Sequence, residues 1–189
     1  MSGPDLAGKR VLVLGAETEV GNAVVSAVAE AGASVAAVAA TSDAEAAFGV
    51  QRLARRLASG ERKVIAQAID ATNEAAVRVM VRQVSKELGG LDGVVYCAFI
   101  VDVIDFGERL REQILRTVKF SAKELGRTRG HFVFLAPNDR IPPTESVGEK
   151  WFGIGGSPMV VLGVGIEGRS ADQVAGKVVR AIAGEADSR

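Results

Sequence analysis

The stretch VLVLGAETEVG, Val11 to Gly21, decides the fold. Four apolar residues run into Gly15, and from Val20 a helical period begins: Val24, Ala27, Val28 and Ala31 recur at three- and four-residue spacing until Gly32. A second apolar run, SVAAVA (Ser34 to Ala39), follows at once. A strand, a glycine turn, a helix and a strand in that order make a crossover unit, which joins parallel strands. Two carboxylates, Glu17 and Glu19, lie inside the turn, where the amides of a helix N-terminus ordinarily receive an anion.

Outward from this unit the alternation repeats. A basic helix ending near Ser59 and Gly60 leads to the strand KVIAQA, Lys63 to Ala68. Thr72 is the expected cap of the next helix, whose buried face is Val77, Met80, Val81, Val84 and Leu88. GVVYCA (Gly93 to Ala98) reads as a fourth strand. Asp105 and Glu108 have capping-box spacing ahead of an apolar stripe of Leu110, Ile114, Val118 and Leu125. HFVFLA (His131 to Ala136) is a fifth strand. Pro137 to Pro158, rich in Pro, Gly, Ser and Asn and without a period, reads as a long irregular loop. MVVLGV (Met159 to Val164) is a sixth strand, and Ser170 caps a last helix reaching Ala183. Continuously apolar strands alternating with amphipathic helices imply an α/β fold. The expected architecture is one domain over residues 1–189, a doubly wound, Rossmann-like parallel sheet of about six strands with helices on both faces.

Composition narrows the function classes. The 189 residues include 23 basic and 23 acidic side chains, so no net charge favours nucleic acid or an anionic membrane. With one cysteine, Cys97, and one histidine, His131, no metal site is expected. The opening MSGPDLAGKR lacks a signal-peptide core, and the longest uncharged run, Trp151 to Ile166, is too short to span a membrane. A cytoplasmic location is the expectation.

Four segments together resemble the short-chain dehydrogenase/reductase family. GKRVLVLGAETEVG is similar to its opening strand and glycine turn, and GASV (Gly32 to Val35) to the start of its second strand. DATNEAAVRVMVRQVSKELGGLDGVVYCA (Asp70 to Ala98) resembles the run from an adenine-contacting Asp to the fourth strand, and GHFVFLAP (Gly130 to Pro137) the strand that ends in the catalytic Ser. The resemblance implies a dinucleotide site at Gly15, Gly21 and Asp70.

It also implies features that this chain lacks. The family turn is Gly-x-x-x-Gly-x-Gly, and Glu19 stands at the middle glycine, where the backbone approaches the phosphates. The second strand ends in Ala39 and Ala40, followed by Thr41 and Ser42. It offers neither the acid that accepts from a ribose 2′-OH nor a base for a 2′-phosphate. The family's Asn-Asn-Ala-Gly becomes Tyr96, Cys97, Ala98 and Phe99, which would crowd the nicotinamide ribose. The family's general acid/base is a Tyr assisted by a Lys four residues later. Here the only tyrosine is Tyr96, with Ile100 four residues on, so that motif exists nowhere in the sequence. Pro137 stands at the Ser position, and Trp151 and Gly155 near the Tyr and Lys positions. No Asn between Asn73 and Asn138 supplies the family's structural Asn. The loop 137–158 is read as replacing the helix that carries Tyr and Lys.

No catalytic residue is therefore assigned. His131 and Cys97 read as structural, and Gly153, Gly155 and Gly156 as loop glycines; Asp102, Asp105 and Glu108 lie after the fourth strand where an acid/base pair could form, but helix capping accounts more simply for Asp105 and Glu108. Gly15, Gly21 and Asp70 are read as vestiges of a cofactor site. No bound cofactor is expected, NAD(P) being the alternative. The implied role is that of an inactive pseudoenzyme in a homo-oligomer, or in a hetero-oligomer with an active relative. The helix from Asp105 to Gly126 is a candidate contact; the adjacent aromatics Trp151 and Phe152 are either a second one or a cover folded back over the sheet edge that the missing helix leaves exposed. A divergent oxidoreductase and a small-molecule-binding module remain as alternatives.

Overall fold

The computed structural model describes residues 4–58, 62–97, 108–138, 141 and 158–185. In chain order the elements are β1 (Arg10–Leu14), α1 (Glu19–Glu30), β2 (Ser34–Ala39), α2 (Ala44–Leu57), β3 (Val64–Ala68) and α3 (Glu74–Leu88). There follow β4 (Gly93–Tyr96), α4 (Glu108–Thr128), β5 (His131–Ala136), β6 (Val160–Gly165) and α5 (Ala171–Ala183). Every strand pairing is parallel, in the order β3-β2-β1-β4-β5-β6. The strand order reverses between β1 and β4, which opens a crevice at their carboxyl ends.

Alternation along the strands divides the core into two layers. Val11, Val13, Val35, Ala37, Val95, Val133 and Leu135 face α1, α2 and α5. Leu12, Leu14, Val38, Val94, Phe132 and Phe134 face α3 and α4. Both faces are thus covered, which is why the strands are apolar throughout rather than at every second residue. Arg10 and Asp92 join the amino ends of β1 and β4: Asp92 Oδ2 accepts from Arg10 Nε at 2.7 Å and from the Arg10 amide at 3.0 Å.

Several expectations shift by one or two residues. β6 starts at Val160 rather than Met159, β3 at Val64, and β4 ends at Tyr96. The cap of α3 is Asn73, whose side chain accepts from the Ala76 amide at 3.2 Å. Thr72 donates its hydroxyl to Asp70 at 2.6 Å and so closes the preceding turn instead. Ser170 caps α5, as the sequence suggested, and does so in a reciprocal capping box with Gln173. The Asp105–Glu108 box and most of the 137–158 loop lie outside the described residues.

The turn between β1 and α1 closes on itself. Gly15 has φ +96°, a left-handed conformation that suits glycine. Thr18 caps α1: its Oγ1 donates to the Gly15 carbonyl at 2.8 Å and accepts from the Gly21 amide at 2.9 Å. A Cβ on Gly21 would collide with the Gly15 carbonyl. Gly21→Ala is therefore expected to destabilise the fold by about 2 kcal/mol or more, despite alanine's better helix propensity, and Thr18→Ala by about 1 kcal/mol. Urea denaturation measures both; a neutral Gly21→Ala would mean that α1 can move off the turn.

Candidate functional site

The crevice at the carboxyl ends of β1, β2 and β4 is built by the glycine turn, Ala39 and Ala40, and Cys97. The first amides of the turn are spent on the scaffold. The Gly15 and Ala16 amides donate to the Val38 carbonyl at 2.8 and 3.0 Å, and the Cys97 amide to the Leu14 carbonyl at 2.7 Å. Gly15 and Gly21 thus both have geometric roles that require no ligand.

The two turn acids behave differently from one another. Glu19 is the first residue of α1 and is exposed, where a carboxylate complements the helix dipole. Glu17 caps nothing. Its Oε2 reaches 23 residues along the chain to accept from the Ala40 amide at 3.1 Å, beyond the end of β2. The sequence placed both acids in the phosphate region. The fold instead carries Glu17 to the position where a ribose-binding carboxylate would stand. Nothing in the local sequence signals this, because the side chain's direction depends on where β2 ends.

Tyr96 is buried among the residues facing α3 and α4, and its hydroxyl donates to Gln113 Oε1 of α4 at 2.7 Å. Alternation on β4 puts Cys97 on the opposite face, fully buried. Burial pushes both acids up from their ordinary values, the neighbouring Cys97 and the Glu17 charge adding to the effect on Tyr96, and Glu17 to that on Cys97. Half-buried His131 is shifted down by burial and by Lys9, which favours neutral imidazole at the start of β5. Asp70, at the end of β3, is exposed, and its pKa is lowered by the Thr72 hydroxyl and then by the Thr72 amide. Its carboxylate is committed to that turn. Among the described residues no three His, Cys, Asp or Glu side chains converge as metal ligands, and no helix is long and apolar enough to cross a membrane. Phe99, Asp102, Asp105, Trp151, Phe152, Gly153, Gly155 and Gly156 lie outside the described residues.

Comparison with known proteins agrees with this frame. The family model described as short chain dehydrogenase matches residues 9–125, more than half of the chain. The chain belongs to the short-chain dehydrogenase family. A short-chain type dehydrogenase/reductase from Mycobacterium marinum is 31% identical over 70% of this chain and 57% of its own, with a TM-score of 0.58. A putative short-chain alcohol dehydrogenase from Sinorhizobium meliloti is 28% identical over 70% of this chain and 56% of its own, with a TM-score of 0.59. This chain therefore spans little more than half the length of either. The hydroxysteroid dehydrogenase of Escherichia coli is 17% identical over 95% of this chain and 90% of its own, and its TM-score of 0.73 reflects a shared fold. Among curated proteins, none matches the sequence.

The buried acids of β4 make alkaline stability a readout of the site. Because their folded-state pKa values are raised, the fold holds the neutral forms. The contribution is complete below about pH 9 and is lost as the unfolded-state Cys97 and then Tyr96 ionise near 9.0 and 10.0. The urea midpoint is expected to fall between pH 8.5 and 10.5 (about two pH units spanning those ionisations), with phenolate absorbance appearing only on unfolding. A phenolate signal from folded protein near pH 10 would show an accessible Tyr96.

Proposed function

We propose that this chain is a short-chain dehydrogenase scaffold without the family's Tyr-Lys hydride-transfer machinery, acting as a structural or regulatory subunit through protein contacts. The observation that carries this reading is Tyr96. It is the only phenol in the sequence, it is 1% exposed, and its hydroxyl is held by Gln113 beneath the sheet. A general acid must reach the proton it transfers, and this one faces the core. Glu19 at the phosphate-approach position and the commitment of Asp70 to Thr72 lend further support.

The assembly is a homo-oligomer, or a hetero-oligomer with an active member of the same family. α4 supplies one contact face. Light scattering on the purified chain, alone and mixed with an active short-chain dehydrogenase, is expected to give a species larger than the monomer in at least one case. A strictly monomeric profile in both would refute the subunit role.

One observation favours a second reading, that of a divergent NAD(P)-dependent oxidoreductase. Glu17 brings to the end of β2 the carboxylate that Ala39 and Ala40 lack, and a ribose 2′-OH could donate to its free oxygen. That reading requires NADH-dependent reduction of some carbonyl substrate, weakened by Glu17→Gln. We expect no turnover from either protein in a carbonyl-reduction panel with NADH and NADPH.

A further inference from the structure

α2 carries two features that disfavour a helix and that no contact among the described residues offsets. Gly49 lies inside this 14-residue helix without a positive φ, and a Cβ built there would meet nothing within 4 Å. Neither backbone geometry nor packing calls for glycine, which is the poorest helix former after proline. Arg52 and Arg56 stand four residues apart, a spacing at which like charges repel. Neither has an ion-pair or hydrogen-bond partner among the described residues. Both are exposed.

Gly49, Arg52 and Arg56 all line one groove, of about 620 Å³, between the first turn of α1 and the length of α2. Its volume is that of a small-molecule site. Val50 and Leu53 form an apolar floor. Glu17 and Glu45 lie toward the amino end of α2. Arg52 and Arg56 follow about 10 and 16 Å farther along the helix at 1.5 Å per residue. The groove is therefore bipolar, with carboxylate acceptors at one end and two guanidiniums at the other. Complementing the helix dipole accounts for a positive charge at Arg56, but not for the space left open beside Gly49.

A ligand that fits carries an anion at one end and hydrogen-bond donors at the other. A dicarboxylate would be repelled by Glu17 and Glu45, and a polyamine by the arginines. Two guanidiniums on one helix face suit a phosphate, which accepts their forked donors. Hydroxyls suit Glu45 and the Glu17 oxygen left free by Ala40. We propose that this groove binds a phosphate ester of a polyol, with its phosphate between Arg52 and Arg56 and its hydroxyls donating to Glu17 and Glu45. Gly49 leaves room for the ester's carbon skeleton against α2. This site goes beyond the subunit role; it shares Glu17 with the strand-end crevice, so an ester bound here would compete with a dinucleotide ribose for the free Glu17 oxygen.

Isothermal titration of the full chain with ribose 5-phosphate, adenosine 5′-monophosphate, inorganic phosphate and ribose tests it. One or both esters should bind saturably, and about tenfold or more tighter than phosphate or ribose alone. Which ester binds distinguishes a sugar phosphate from a nucleotide. Arg52→Gln with Arg56→Gln should weaken the ester by about tenfold or more. Gly49→Leu should abolish binding while raising the melting temperature, because leucine fills the groove and favours the helix. Binding retained in Gly49→Leu would place the ester elsewhere and overturn the proposal. So would the absence of saturable ester binding at millimolar concentration, or inorganic phosphate binding as tightly as the esters.

Discussion

The Thr18 hydroxyl, held between the Gly15 carbonyl and the Gly21 amide, is the contact on which the rest of the structure depends. It fixes where α1 begins, and the absence of a side chain on Gly21 lets that first turn sit directly against the end of β1. From there α1 lies on the sheet with Val24, Val25 and Val28 buried, and α5 packs beside it. The Gly15, Ala16, Thr18 and Gly21 amides all donate within the fold, so these contacts hold the turn's shape without a ligand. The family's phosphate-binding geometry can thus persist as architecture in a chain that has replaced the middle glycine by Glu19.

The same geometry redirects Glu17. Once the turn is closed by Thr18, the preceding side chain has the half-buried Ala40 amide within reach, and a carboxylate comes to rest past the end of β2. On β4 strict alternation sends Tyr96 toward α4 and Cys97 toward the α1 side. The crevice is left without a phenol, and the groove beside α2 gains an acid. Arg52 and Arg56, without an ion-pair or hydrogen-bond partner among the described residues, line that same groove.

The sheet was legible in the sequence because strands buried on both faces are apolar at every position and cannot be mistaken for amphipathic helix. Helix caps were less so. Thr72 and Asn73 are both good capping residues, and the choice fell to Asn73 because Asp70 engages the Thr72 hydroxyl first. Glu17 was misplaced for a different reason: its partner, Ala40, is 23 residues away, and only the pairing of β1 with β2 brings the two together. Gly49 gave no signal, since a glycine in a helical pattern reads as a small cost until the space beside it is known. The absence of the Tyr-x-x-x-Lys pair, by contrast, could be read from composition alone, because a single tyrosine leaves one place to look.

The central claim, that the glycine turn survives as scaffold and not as a dinucleotide site, is most directly tested by calorimetric titration of the unmodified chain with NADH and with NADPH. No saturable heat is expected for either up to millimolar concentration. Micromolar binding of either cofactor, unaffected by Gly49→Leu and, for NADH, weakened by Glu17→Gln, would contradict that claim and make the strand-end crevice a working cofactor site.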